Sequence, residues 1–156
     1  VSIANYNCPG QIVITGEAAA VAEAGTALKE AGARRVLPLK VSGPFHSPMM
    51  RPAGEELAKV FAGVSMNPLK IPYVANINAE VITDCGRIEG LLVEQVSGSV
   101  RWQQSVETMI REGVDTFVEI GPGKTLTGFL RKIDKNVKAY HIGSWEEAVQ
   151  VCEELK

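Results

Sequence analysis

Ser2-Ile-Ala-Asn-Tyr6, Asn7-Cys-Pro-Gly10 and Gln11-Ile-Val-Ile-Thr15 form the stretch that decides the fold. Two runs rich in β-formers are joined by a connector holding Pro9 and Gly10, which predicts a β-hairpin. From Glu17 the apolar period changes. Ala18, Val21, Ala22, Gly25 and Leu28 recur at helical spacing and stop at Gly32, a residue suited to the position just past a helix. Val36-Leu-Pro-Leu-Lys-Val41 reads as a further strand, with Pro38 marking an edge or irregular position. Residues 1–41 thus spell β-β-α-β. A split βαβ, ferredoxin-like unit runs β-α-β-β-α-β. These residues match its last four elements, so the first strand and helix would precede Val1, where the chain opens without Met.

Working outward, Ser42-Gly-Pro-Phe-His-Ser-Pro48 carries two prolines and a glycine and predicts a loop. Pro52 suits the first turn of a helix, whose apolar stripe would be Leu57, Val60, Phe61 and Val64. Ile71–Ala75 reads as a short strand. Ile88, Leu91, Leu92 and Val96 share one helical face; Trp102, Val106, Met109 and Ile110 share the next, with Gly113 after it. Thr116–Ile120 is a strand that turns out through Gly121-Pro-Gly123. A helix with Leu126, Phe129, Leu130 and Ile133, a strand over Val137–Ile142, and a helix from Trp145 to Leu155 complete the chain. Strands alternating with helices predict an α/β class with a parallel sheet covered on both faces. Three short strands after residue 42 are few for such a sheet, which usually holds ~5–6, and this again points upstream of Val1.

The composition bounds the function. At 156 residues, 46% hydrophobic and 22% charged, the chain is a globular protein able to bury a core. Sixteen Lys and Arg against eighteen Asp and Glu give a net charge of -2, which argues against a nucleic-acid partner held by phosphate contacts. No apolar run approaches the ~18 residues of a membrane span. Cys8, Cys85 and Cys152 are scattered, with no CxxC pair, so neither a disulfide framework nor a zinc site is expected. The expectation is a cytoplasmic protein with no metal and no cofactor.

Chemistry could reside in few places. His46 lies in the loop between a strand and a helix, where reactive side chains are commonly presented, though a lone loop histidine is by default an ordinary residue. No Gly-x-Ser-x-Gly elbow offers it a nucleophile. His141 closes a strand and reads as structural. Gly123-Lys124-Thr125 imitates the end of a phosphate-binding loop, but the motif's first glycine would fall on Val118, so a tight turn opening a helix is preferred. Asn5 and Asn7 flank Tyr6 and would share one strand face, either to bind a polar ligand or to satisfy the turn.

Four blocks carry a family resemblance: Asn5-Tyr-Asn-Cys-Pro-Gly-Gln11 with Ile14-Thr-Gly16, Gly43-Pro-Phe-His-Ser47, Ser99-Val-Arg-Trp102, and Glu119-Ile-Gly-Pro-Gly-Lys-Thr-Leu-Thr-Gly128. In this order they resemble the malonyl-CoA:acyl carrier protein transacylase family of bacterial fatty-acid synthesis, to which the acyltransferase domains of polyketide synthases are similar. The resemblance covers the C-terminal half of that family. It implies a partial ferredoxin-like small subdomain over 1–41, then the C-terminal part of an α/β-hydrolase-like large subdomain over 42–156. It further implies that the nucleophilic serine and a malonyl-binding arginine belong to a missing N-terminal half.

The resemblance assigns roles residue by residue. His46 matches the catalytic base, and Gln95 the glutamine whose main-chain carbonyl orients it. Asn5 and Asn7 match an asparagine pair near the cleft. Phe45 matches a position where, in polyketide acyltransferases, Phe accompanies malonyl and a smaller residue methylmalonyl units. The implied reaction carries malonyl from CoA to the phosphopantetheine thiol of acyl carrier protein through a Ser-His ping-pong scheme. A free imidazole titrates near ~6.5, which suits a group that takes and returns a proton. An inert carrier-protein or anion-binding module, and a fragment of a polyketide-type acyltransferase domain, stay open as alternatives.

Overall fold

Ser2–Cys8 (β1) and Gln11–Thr15 (β2) pair antiparallel around the Pro9-Gly10 turn. Gly10 takes φ 76°, a left-handed value that glycine adopts without steric cost. In this computed structural model, which describes residues 1–156, the hairpin leads into Ala18–Glu30 (α1). The Glu17 carboxylate accepts the Ala20 N–H at 3.0 Å and caps the helix. Gly32, at φ 96°, ends it where the apolar period stops.

The expected strand over 36–41 does not form. The segment forms no ladder with any neighbour, and the Val41 N–H turns back onto the Leu39 carbonyl at 3.1 Å. Leu37, Leu39 and Val41 are 64%, 62% and 64% exposed. Only Val36 packs, against Gly25 of α1. The opening unit is therefore β-β-α followed by an unpaired segment, not β-β-α-β.

A 3-10 turn over Pro48–Met50 runs into Arg51–Phe61 (α2). Its buried residue is Gly54; Val60 and Val64 of the expected stripe are exposed. A Cβ at Gly54 would stand 3.1 Å from the Val93 carbonyl, so glycine is what lets α2 lie close on Ile88–Ser97 (α3). Tyr73–Val74 (β3) pairs antiparallel with Val81–Ile82 (β4), a strand too short for periodicity to reveal. Trp102–Arg111 (α4), Thr116–Ile120 (β5), Thr125–Ile133 (α5), Lys138–Ile142 (β6) and Trp145–Glu154 (α6) follow.

β5 and β6 pair in parallel from Thr116↔Lys138 to Ile120↔Ile142, so the expected parallel sheet exists, but as two strands. Ile120 is 78% and Ile71 77% exposed. The core nearest the site is Ala75, Ile82 and Leu91, with Leu69, Tyr73 and Ile77 against it. No helix is long and apolar enough to cross a membrane.

A strap joins the hairpin to the rest. The Tyr6 N–H donates to the Val100 carbonyl at 2.8 Å, and the Val100 N–H to the Ala4 carbonyl at 2.7 Å. The Ser99 hydroxyl donates to the Ile3 carbonyl at 2.5 Å. β1 is thereby fixed to the segment that leaves α3.

Candidate active site

The site begins at the C-terminus of α3. The last four carbonyls of a helix lack intrahelical donors. Gly98 leaves the helix extended, at φ −101° and ψ 157°, so its own N–H closes the final bond to Glu94 and no further turn follows. The Gln95 carbonyl is thus free, and His46 Nδ1 lies 2.9 Å from it. A carbonyl can only accept, so Nδ1 carries the proton and Nε2 keeps its lone pair. Gln95 Nε2 stands 3.5 Å from the same Nδ1. Two donors face each other there, so the carbonyl contact is the hydrogen bond.

The loop holds the ring in place. The buried Ser47 hydroxyl donates to the Pro44 carbonyl at 2.7 Å and accepts the Met49 N–H at 3.3 Å. The Met50 N–H then bonds the Ser47 carbonyl at 2.9 Å. Between these ties His46 takes φ 58°. For a residue with a Cβ that left-handed conformation costs roughly 1–2 kcal/mol. The brace keeps a strained residue aimed at α3.

Phe45 is 47% exposed beside His46, with its ring edge near Gly43. Asn5 and Asn7 are half-buried on β1. Asn5 sits where β1 bridges to Val100, two residues beyond Gly98, whose carbonyl accepts from Gln95 Nε2, so the strap brings it toward the end of α3. Asn7 falls in an irregular step of the register between Tyr6 and Cys8. The regular alternation that would put both amides on one face is interrupted there. The turn beside them is closed by Cys8↔Gln11 pairing. A cavity of about 160 Å³ opens behind the site, with Tyr73, Asn76, Ile77, Leu91 and Gln95 in its wall.

The second histidine and the glycine-rich turn form a separate cluster. The Glu119 carboxylate accepts the Leu126 N–H at 3.0 Å, the Thr127 N–H at 2.7 Å and the Thr127 hydroxyl at 2.6 Å. It occupies the N-terminus of α5, where a bound phosphate would have to sit. Burial alone would raise the Glu119 carboxyl; the Thr127 and Leu126 bonds and nearby His141 outweigh it and hold it below the usual carboxylate range. His141 Nε2 donates to the Gly121 carbonyl at 2.9 Å, and its Nδ1 lies 3.5 Å from Glu147. The Gly143 N–H holds Glu147's carboxyl low, against a smaller desolvation effect, with His141 and Lys124 assisting. Gly121–Lys124 is a structural turn.

Gly98 and the Gln95 side chain hold positions here that residue pattern did not single out, and Ser99 stood in the Ser99-Val-Arg-Trp102 block without a role. The signal present was a glycine two residues past Val96, the last apolar residue of the helical period.

The family model described as an acyl transferase domain matches residues 1–151. The chain is 42% identical over 156 residues to the malonyl CoA-acyl carrier protein transacylase of Bacillus subtilis (strain 168), covering 100% of this chain and 49% of that protein. To the transacylase of the same name from Staphylococcus aureus (strain COL) it is 42% identical over 144 residues, covering 92% and 47%. Among solved structures, MCAT from Streptococcus pneumoniae superposes with a TM-score of 0.92 at 44% identity, over 98% of this chain and 50% of that one. A malonyl-transacylase in complex with its type II PKS acyl-carrier protein superposes with a TM-score of 0.95 at 38% identity, over 98% and 50%. The chain spans about half the length of the curated relatives it matches.

Proposed function

Because this chain belongs to the acyl transferase domain family, we propose that it supplies the histidine-bearing, C-terminal half of a cytoplasmic malonyl-CoA:acyl carrier protein transacylase. In this reading residues 1–41 belong to a ferredoxin-like small subdomain and 42–156 to an α/β-hydrolase-like large one. The nucleophilic serine, the oxyanion donors and the malonyl-binding arginine come from an N-terminal half of the same enzyme. The absence of Gly-x-Ser-x-Gly from residues 1–156 agrees with that division.

The mechanism follows from the free nitrogen of His46. Nε2 takes the serine proton as the oxygen attacks the malonyl thioester. The tetrahedral intermediate collapses, and the imidazolium returns the proton to the departing CoA thiol. The phosphopantetheine thiol of acyl carrier protein then gives its proton to Nε2 and attacks the malonyl-serine, and serine leaves with that proton. The Gln95 carbonyl fixes the tautomer. Asn5, carried toward the end of α3 by the strap, is assigned to the substrate side, and Asn7 is assigned there through the family resemblance alone. Phe45 fills the space an α-methyl group would need, for a malonyl over methylmalonyl preference of about 10–200-fold.

The observation that carries this reading is the 2.9 Å contact of His46 Nδ1 with the Gln95 carbonyl. The test combines the chain with the serine-bearing half and follows labelled malonyl from malonyl-CoA to holo acyl carrier protein. Transfer that needs both halves and falls at least ~10²-fold with His46→Ala supports it. Undiminished transfer by the His46→Ala variant, or robust turnover by the 156-residue chain alone, overturns it.

A further inference from the structure

We propose that the Gln95 carboxamide, and not only its main-chain carbonyl, positions His46: the side chain clamps the turn that ends α3 and so keeps the carbonyl of its own residue free for the imidazole. This rests on His46 being the base.

The clamp is visible in the acceptors it holds. Gln95 Nε2 donates to the Gly98 carbonyl at 3.0 Å and lies 3.5 Å from the Ser99 carbonyl. Were α3 to continue, the Ser99 N–H would come round to the Gln95 carbonyl and compete with His46 for it. By bonding the carbonyl of Gly98, the carboxamide holds that residue in its extended conformation and turns Ser99 away. The strap bonds to Ile3, Ala4 and Tyr6 then carry the chain to β1. Gly98 is fitted to this turn. A Cβ there would collide with Ile77 Cδ1 and stand 3.0 Å from the Glu94 carbonyl.

The amide's orientation follows from its surroundings. Reversed, it would set Oε1 against two carbonyl oxygens, so Nε2 must face them. Oε1 is then buried without a partner. That is a cost which an apolar side chain of the same size would not carry. A residue needed only for its main-chain carbonyl has no reason to carry it.

The experiment reads the His46 tautomer by long-range ¹H–¹⁵N NMR on the 156-residue chain, at about pH 8, above the ordinary imidazole range of ~6.5. The wild-type ring should carry its proton on Nδ1. In Gln95→Leu and Gln95→Met the ratio of Nδ1–H to Nε2–H should fall by roughly 2- to 12-fold, the range that one hydrogen bond supplies. Folded variants that keep the wild-type ratio overturn the clamp and leave the transferase reading standing. A wild-type ring protonated on Nε2 overturns both. Should the variants not fold, the wild-type Gln95 carboxamide protons decide. The clamp requires them to exchange more slowly than those of a free glutamine, and exchange at the free rate sinks it.

Discussion

The chain holds two histidines, and each sets one ring nitrogen 2.9 Å from a main-chain carbonyl. The difference lies at the second nitrogen. At His141, Nδ1 faces the Glu147 carboxylate, which is itself held by the Gly143 N–H at 2.6 Å. That Nδ1 is buried beside the carboxylate with no hydrogen bond of its own, so the ring is closed off from solvent, and its Nε2 bond ties β6 to the Gly121 turn. At His46 the carbonyl takes Nδ1 and leaves Nε2 with its lone pair. One arrangement closes a histidine into the framework; the other orients it and leaves the lone pair of Nε2 free. Backbone geometry repeats the contrast: His141 lies within a regular strand, whereas His46 is held at φ 58°.

The largest effect should break this contrast or confirm it. In the assembled enzyme, His46→Ala should lower malonyl transfer at least ~10²-fold. His141→Ala should leave turnover within about threefold while lowering the midpoint of thermal unfolding, because it removes the Gly121 hydrogen bond, worth ~0.5–1.5 kcal/mol, from the framework. Equal kinetic losses in the two variants would erase the distinction.

Gly98→Ala comes next, since the added methyl must displace Ile77 and crowd the Glu94 carbonyl. Overpacking of this kind costs about 1–3 kcal/mol. Denaturant unfolding should show that loss, and the His46 tautomer should loosen with it while the His141 signals stay in place.

Much of this architecture could be read from residue order, and what could not has a common cause. The hairpin follows from Pro9-Gly10 between β-rich runs, and α1 and α3–α6 from apolar spacing, because these are local properties. Residues 36–41 misled because the apolar Val36, Leu39 and Val41 say nothing about whether a neighbouring strand edge exists. α2 misled because its contact is made by Gly54, a residue without a side chain. β4 is two residues long and leaves no period. At the site, the loop position of His46 was legible. Its meeting with Gln95, 49 residues away, was reachable only through the family resemblance, since a free helix-end carbonyl has no residue signature.

Glu119→Gln should lower stability by about 1 kcal/mol, or roughly 2–4 °C in the thermal midpoint, by weakening the cap on α5. Its pH dependence has a definite sign. The folded carboxyl lies below its ordinary value. Its contribution is therefore fully present above the unfolded value near ~4.3 and is lost as pH falls through the lower folded value. Thermal melts of wild type and variant should be separated by a constant gap from pH 5 to 7 and converge in more acid solution. A gap that persists unchanged in acid would show that the cap acts through shape and not charge.

The smallest expected effect is also the sharpest on backbone strain. His46→Gly and His46→Ala both remove the imidazole, but only glycine accepts φ 58° freely. Relief of ~1–2 kcal/mol, set against glycine's entropy cost of ~0.5–1 kcal/mol, leaves the glycine variant more stable than the alanine variant by up to about 1 kcal/mol. Within β6 the order reverses: His141→Gly gains no relief and should be less stable than His141→Ala by ~0.5–1 kcal/mol. Chemical denaturation of the four variants measures both differences. The same order at the two positions would mean that the loop around His46 relaxes once the ring is gone, and that the ring's own contact with α3, not the Ser47 brace, holds the residue in its left-handed conformation.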